Sequence, residues 1–466
     1  MNDRIPDAES SHCLENFEIA AGRKTGEFYG AVFQDTDVAK WLEAVGFSLA
    51  CYPDEALEKT ADEVIDLIAE AQCEDGYINT YYTIKEPGKR WTDLCEGHEL
   101  YTAGHLIEAA VAYYEGTGKK KFLDCVSKFA DLICDTFGTE EGKIHGYPES
   151  CASIGLALFG LRMAQITGES QYIDVAERAL YNTVLAGIAL DGKSFFYVNP
   201  LEVWPPACME GTSKKHVKPI RQKWFGVACC PPNIARTLAS LGQYIYAENS
   251  KKKELYVNLF VSNETELDWN ENKISVKLQT EFPWVNTYSL EIKNVPEGEM
   301  DLLLRVPDYA QDYQVTADGN MYEENKELEK GYRRVHVEKD TRIEVSFAAP
   351  AKFVYANPQV RADSGKAAIV RGPLVYCLEE IDNSQNLPAV FVDTDTALKE
   401  EKSDLFGGIV TVKARGKKIV ESSVSNSLYS GQKPQLEDVE LTAIPYPYWN
   451  NRGEGEMLVW MKELRP

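Results

Sequence analysis

No run of eighteen consecutive apolar residues occurs in this sequence. A membrane-spanning helix needs about that many, so no span is expected. The opening stretch, MNDRIPDAESSHCLENF, lacks the apolar core of a secretory signal. Positive charge is scarce: 49 Lys and Arg stand against 73 Asp and Glu, a net charge of −24. Such a surface repels nucleic acid and anionic membranes, so neither is expected as a partner, and a neutral or cationic ligand is favoured. The eleven cysteines include no Cys-x-x-Cys pair, so the knuckles of familiar structural zinc sites are absent. An odd number of cysteines scattered through a long chain suggests reduced thiols and a cytoplasmic location. Cys51, Cys125, Cys134 and Cys377 are expected to be small buried hydrophobes.

What remains is ordinary globular composition, 44% hydrophobic and 26% charged over 466 residues, enough for two or three domains. Helical periodicity marks 36–52, 55–72, 98–118, 119–138, 150–168, 170–188 and 232–248, about seven helices joined by short Gly-bearing turns. A cap at Thr36 or Asp37 opens the first. TGKKKFLD from Thr117 and TGESQYID from Thr167 repeat at an offset of 50 (167 − 117), which also superposes Glu99 on Glu149. Repeats of that size mean stacked helix pairs, in a solenoid or a closed toroid. After the polar break at 248–254 the pattern alternates with period two, as in KISVKLQTEF and RIEVSFAAP, the signal of a β-sandwich. The expected division is a helical domain over 1–249, a β-sandwich over 250–350 and a second β-rich, sandwich-like domain over 351–466.

The residues that carry chemistry cluster in two stretches. ESCASIG places Glu149 and Cys151 two apart at a helix entry, and ACCPPN places Cys229 beside Cys230. Pro231 and Pro232 are expected to keep the preceding segment out of helix, with a helix starting near Asn233. Its N-terminal amides would favour thiolate at the cysteines. Thiolates with a carboxylate suit zinc; on spacing alone, packing explains adjacent cysteines as well. His98 and His105 lie seven apart on one helix and, with Tyr101, point to one place. Aromatics at 195–206 and 223–226 suit a sugar pocket or a core equally.

At these residues the chain resembles glycoside hydrolase family 127, the β-L-arabinofuranosidase family. The matching stretches include NDRIPDAESSHCLENFEIAAG, DGYINTYYTIKEP, HELYTAGHLIEAAVAYYEGTG, ESCASIGLALFGLRM, GKSFFYVNPLEVWPP, RQKWFGVACCPPNIARTLASLGQYIY and RGPLVYCLEE, and they cover nearly the whole chain. The resemblance implies an (α/α)6-barrel-type domain followed by β-sandwich domains. It implies zinc held by Glu149, Cys151, Cys229 and Cys230. It implies that Cys229 attacks the anomeric carbon of an L-arabinofuranoside to give a thioglycosyl intermediate, which water releases with retention. His98, His105 and Tyr197 become sugar-binding positions.

The chain departs from that family at one join. Members carry a block of helices between the Gly-Tyr-Pro and Glu-x-Cys motifs, whereas here Pro148 runs straight into Glu149. About seven helices stand where the barrel needs twelve, so the domain is expected to be incomplete. The family's acid/base glutamate lies in the absent block. Glu140, Glu141 and His145 in the shortened loop are candidate substitutes, against a reading as solvated turn. By the same resemblance the chain is expected to begin after the family's first strand-bearing segment. Apolar helix faces left open would be covered in a homodimer. The alternative to an enzyme is a non-catalytic carbohydrate-binding or structural remnant of the family.

Overall fold

The computed structural model describes residues 10–94, 96–137, 149–212, 214–225, 229–269, 272–295, 300–420 and 429–464, with backbone alone at 134 and 137. It divides into two compact units, Met1–Ile166 and Thr167–Pro466. The first is helical and the second is rich in β-sheet.

The first unit holds α1 (Cys13–Ala20), α2 (Asp35–Cys51), α3 (Glu55–Ala71), α4 (Thr80–Ile84), α5 (Glu99–Thr117), α6 (Lys121–Phe137) and α7 (Ser150–Thr167). The five longer helices stand where periodicity puts them; α1 and α4 are too short for a periodic signal. Asp54 caps α3, its carboxylate accepting from the amides of Ala56 and Leu57 at 3.0 Å. The expected Thr36 or Asp37 cap on α2 is not made: the N-cap is Gln34, and the Thr36 hydroxyl donates to Phe33 O at 2.8 Å instead. The core runs from Phe17 through Leu42, Ile68 and Leu106 to Phe129. Helices α2 and α5 cross at glycines, and a Cβ on Gly116 would lie 2.3 Å from Gly46 O. The Thr-Gly repeat ends both α5 and α7 in the same way. Gly118 and Gly168 take left-handed φ of 73° and 70°, and the hydroxyls of Thr117 and Thr167 each accept the amide two residues on at 3.2 Å.

Helix α7 is, by length and composition alone, apolar enough to cross a membrane, and 61% of it is buried inside the protein. Its Phe159 and Met163 pack on the first unit's core. A buried core helix has this composition without a membrane. The cysteine expectation holds for Cys125 and Cys377, which are buried, and fails for Cys51, which is exposed at the end of α2. The Cys134 side chain lies outside the described residues.

The second unit opens with α8 (Gln171–Ala179), which runs into a π-turn, Leu180–Val184. Helix α9 (Cys230–Ser240) stops short of the expected 248, giving way to a 3-10 turn, Leu241–Tyr244, and a strand, Tyr246–Asn249. That strand pairs antiparallel with Glu254–Val257, so the polar break between them is a hairpin turn. The pair belongs to a four-stranded sheet completed by Met300–Arg305 and Tyr332–Val337. A six-stranded sheet runs in the order Asn263–Trp269, Asn272–Thr280, Thr287–Lys293, Thr341–Ala348, Gln311–Ala317, Asn320–Met321. A ten-stranded sheet is centred on Ile409–Ile419 paired with Leu436–Pro445. Buried Arg305 ties α8 to the sheets. Its guanidinium donates to Asp174 at 2.6 Å, to Glu177, and to Asn258 O at 2.7 Å.

Candidate active-site residues

The candidate residues are divided between the two units. In the first, Glu149 directly precedes α7 and Cys151 lies in its first turn; both are buried. The Glu149 carbonyl accepts the Ser153 amide at 3.0 Å, the first turn of the helix. Facing Glu149 is His98, its Nε2 3.6 Å from the carboxylate. His98 is the N-cap of α5 and adopts a left-handed φ of 51°. This conformation is uncommon for a residue with a Cβ and costs of order 1 kcal/mol or more. Its Nδ1 donates to Glu96 O at 2.8 Å, which fixes the ring and leaves Nε2 towards Glu149. Burial pushes the His98 pKa down, but Glu149 and the Glu96 carbonyl outweigh it and hold the imidazole above its ordinary value.

The expectation that His98, Tyr101 and His105 share a face is met through their rings. Tyr101 meets His98 edge-on at 5.9 Å and His105 edge-on at 4.6 Å. His105 is buried. Two contributors were not legible in the sequence: Phe33, whose ring lies 5.2 Å from that of His98, and Lys40, which donates to the Tyr101 hydroxyl at 3.2 Å. Both come from α2 or the turn before it, and only the packing of α2 on α5 brings them there. The repeat did mark Glu99 and Glu149 as equivalents, and both are buried, but their roles differ. Glu99 accepts from the Tyr77 hydroxyl and from the Trp91 amide at 2.8 Å. Burial raises it to about 7.

In the second unit Cys229 and Cys230 place their sulfurs 3.8 Å apart. The prolines do not delay the helix as expected. Cys229 is the N-cap of α9 and Cys230 its first residue, with Pro231 and Pro232 inside the first turn. Proline is tolerated there because those amides have no intrahelical acceptor. Both thiols therefore sit at the positive end of the helix dipole. Cys230 is buried and Cys229 is half-buried. Tyr197 sits beside Phe225 at 5.9 Å, on the stretch where Phe195 bridges Gln222. Glu140, Glu141 and His145 lie outside the described residues.

Three family models match this chain. The model of the β-L-arabinofuranosidase GH127 catalytic domain matches residues 1–150 and 144–243, the GH127 middle domain 254–350 and the GH127 C-terminal domain 351–462. The chain belongs to glycoside hydrolase family 127. A non-reducing end β-L-arabinofuranosidase of Bifidobacterium longum subsp. longum is 29% identical over 613 aligned positions, 97% of this chain and 92% of the relative. Among solved structures, a GH127 β-L-arabinofuranosidase from Geobacillus stearothermophilus T6 is 38% identical, with a TM-score of 0.67 over 99% of this chain and 95% of the other. A GH127 β-arabinofuranosidase is 29% identical, with a TM-score of 0.61 over 97% and 92% of the two chains. The catalytic-domain model is matched in two stretches that meet at 144–150, across the Pro148–Glu149 join. With 466 residues available, at least 147 positions (613 − 466) of the Bifidobacterium alignment face no residue of this chain.

Proposed function

We propose that this GH127 chain is a retaining β-L-arabinofuranosidase with Cys229 Sγ as nucleophile and a zinc ion held by Glu149, Cys151, Cys229 and Cys230. The carrying observation is the donor set itself: three cysteines and one carboxylate, three of the four buried. Thiolate and carboxylate donors of this number fit zinc, and buried donors of this kind are best accounted for by a cation. Bound zinc would keep the Cys229 sulfur deprotonated at neutral pH. The sulfur attacks the anomeric carbon as the bond to the leaving oxygen breaks. Water then cleaves the carbon–sulfur bond, and the two inversions give net retention. His98, positioned by Glu96 and facing Glu149, binds the sugar together with His105 and Tyr197. Residues 1–249 are read as an incomplete (α/α)6-type domain, with β-sandwiches over 250–350 and 351–466, and a homodimer covers the exposed Phe47 and Leu156.

The leaving oxygen must gain a proton, and the resemblance assigns the family's acid to the block that has no counterpart here. General acid help is typically worth about 10²- to 10⁴-fold. An aryl arabinofuranoside with an acidic phenol needs no such help, and an alkyl one does. Turnover is therefore expected for p-nitrophenyl β-L-arabinofuranoside, with the methyl glycoside slower by far more than spontaneous reactivity explains. Equal relative rates would mean that an acid is in place. No turnover of either, with zinc bound, would favour a second reading, a carbohydrate-binding remnant, which the unmatched positions of the Bifidobacterium alignment also support.

A further inference from the structure

The six-stranded sheet of the second unit is one-sided. Ile274, Val276, Leu278, Leu290, Ile343 and Val345 are buried on one face. The other carries a groove of about 800 Å³. Its floor is made of two rungs read straight from the strand register. One runs Gln279, Ser289, Glu344, Thr316, and the next runs Thr287, Ser346, Gln314. Thr287, Ser289 and Ser346 supply short hydroxyl side chains on the middle strands beside the charged Glu344, and the longer Gln279 and Gln314 stand exposed on either side. Three strand spacings separate those two glutamines, roughly 14 Å, wide enough for linked sugar rings. The turn at Glu281–Val285 closes one end. It is braced by Ser262 Oγ donating to Thr280 O at 2.9 Å and Thr280 Oγ1 donating to Thr287 O at 2.8 Å.

An ordinary solvated sheet face explains polarity but not this shape or this composition. Among the described residues no lysine lines the groove. The one cation lining it among the described residues, Arg342, is taken up by Glu344 at 3.1 Å and Glu291 at 3.3 Å. Hydroxyls and carboxamides both donate and accept, as sugar hydroxyls do. Net charge of −24 disfavours an anionic chain.

We propose that this groove is an accessory binding site for a neutral polysaccharide, the arabinose-bearing polymer from which the enzyme's substrate ends project. The neutral, polyhydroxylated character follows from the groove; the choice of arabinose rests on the reaction proposed above. Among the described residues Tyr288 is the one aromatic in the lining, and its hydroxyl meets Tyr313 at 3.1 Å. Recognition is therefore by hydrogen bonds and is weak.

The test is affinity electrophoresis of the full chain through gels containing soluble neutral arabinan, with polygalacturonate gels as the acidic control. Arabinan should retard the parent, and polygalacturonate should not. Retardation should weaken by about tenfold or more in the double variant Gln279→Ala/Gln314→Ala, which removes two hydrogen-bonding groups. It should also weaken in Ser346→Tyr, which fills the floor; should one variant fail to fold, the other decides. No retardation of the parent by arabinan, equal retardation of parent and folded variants, or equal retardation by polygalacturonate would overturn the proposal. Cys229→Ala separates the two ideas. Retardation intact in that variant keeps the groove independent of Cys229, and a parent chain that is retarded yet hydrolyses no arabinofuranoside sinks the reaction and keeps the groove. Retardation lost in it places the polymer at Cys229 and overturns the groove.

Discussion

Replacing Gly116 with alanine should destabilise the helical unit, although alanine is the better helix former. The new Cβ would lie 2.3 Å from Gly46 O and 3.2 Å from Gly46 C, where ordinary contact begins near 3.4 Å. The obstacle is backbone, so no rotamer change relieves it, and α2 and α5 must part by about 1 Å. A gap of that size forfeits about a quarter to a half of the dispersion attraction across the seam. Overpacking costs about 1–3 kcal/mol, and the upper end applies here. The helix propensity of alanine returns about 1 kcal/mol. The net loss is about 2 kcal/mol, or roughly 4–8 °C in Tm for a unit of this size. Gly155→Ala is the control. A Cβ there meets nothing within 4 Å, so only the propensity gain of about 1 kcal/mol remains. Thermal melts followed by far-UV ellipticity compare the two. A Gly116→Ala chain melting at or above the parent would refute the reasoning.

Asp35 is fully buried, and burial raises its pKa from 3.8 to about 6 against the pull of two hydrogen bonds from Thr80. A raised folded pKa contributes stability that is fully present below 3.8 and lost as pH rises through about 6. The whole shift is worth about 3 kcal/mol. Denaturant titrations across that range should show stability falling as pH rises, less steeply in Asp35→Asn; parallel curves would contradict it. Arg305→Met leaves Asp174 and Glu177 buried without their cation. The expected loss is about 3–5 kcal/mol by urea unfolding, and a loss under about 1 kcal/mol would show that the carboxylates find other partners.

The sequence carries the longer helices because each buries one periodic stripe, and the Thr-Gly stops because Gly118 and Gly168 need left-handed backbone. It conceals the strands Asn263–Trp269 and Gln311–Ala317 because they are mostly polar: Asn263–Trp269 buries only Trp269, and Gln311–Ala317 buries only Val315. The start of α9 is hidden because two prolines read as a break, yet they occupy a turn that needs none of their amides. Cys51 was misread because a cysteine at a helix end has no periodic neighbour to place it. The candidate ligands were legible as residue types and spacings. Their surroundings were not. His98 facing Glu149, and Tyr77 with Trp91 closing on Glu99, join loops and helix ends whose separation in sequence says nothing of their meeting.

The central claim is that Glu149, Cys151, Cys229 and Cys230 hold one zinc ion despite the shortened chain. Elemental analysis of protein purified without added metal tests it directly, with Cys230→Ala alongside. About one zinc per chain in the parent and much less in the variant is the expected result, since a tetrahedral site loses most of its affinity with one of its four ligands. No zinc in either protein, or the same amount in both, would contradict the account.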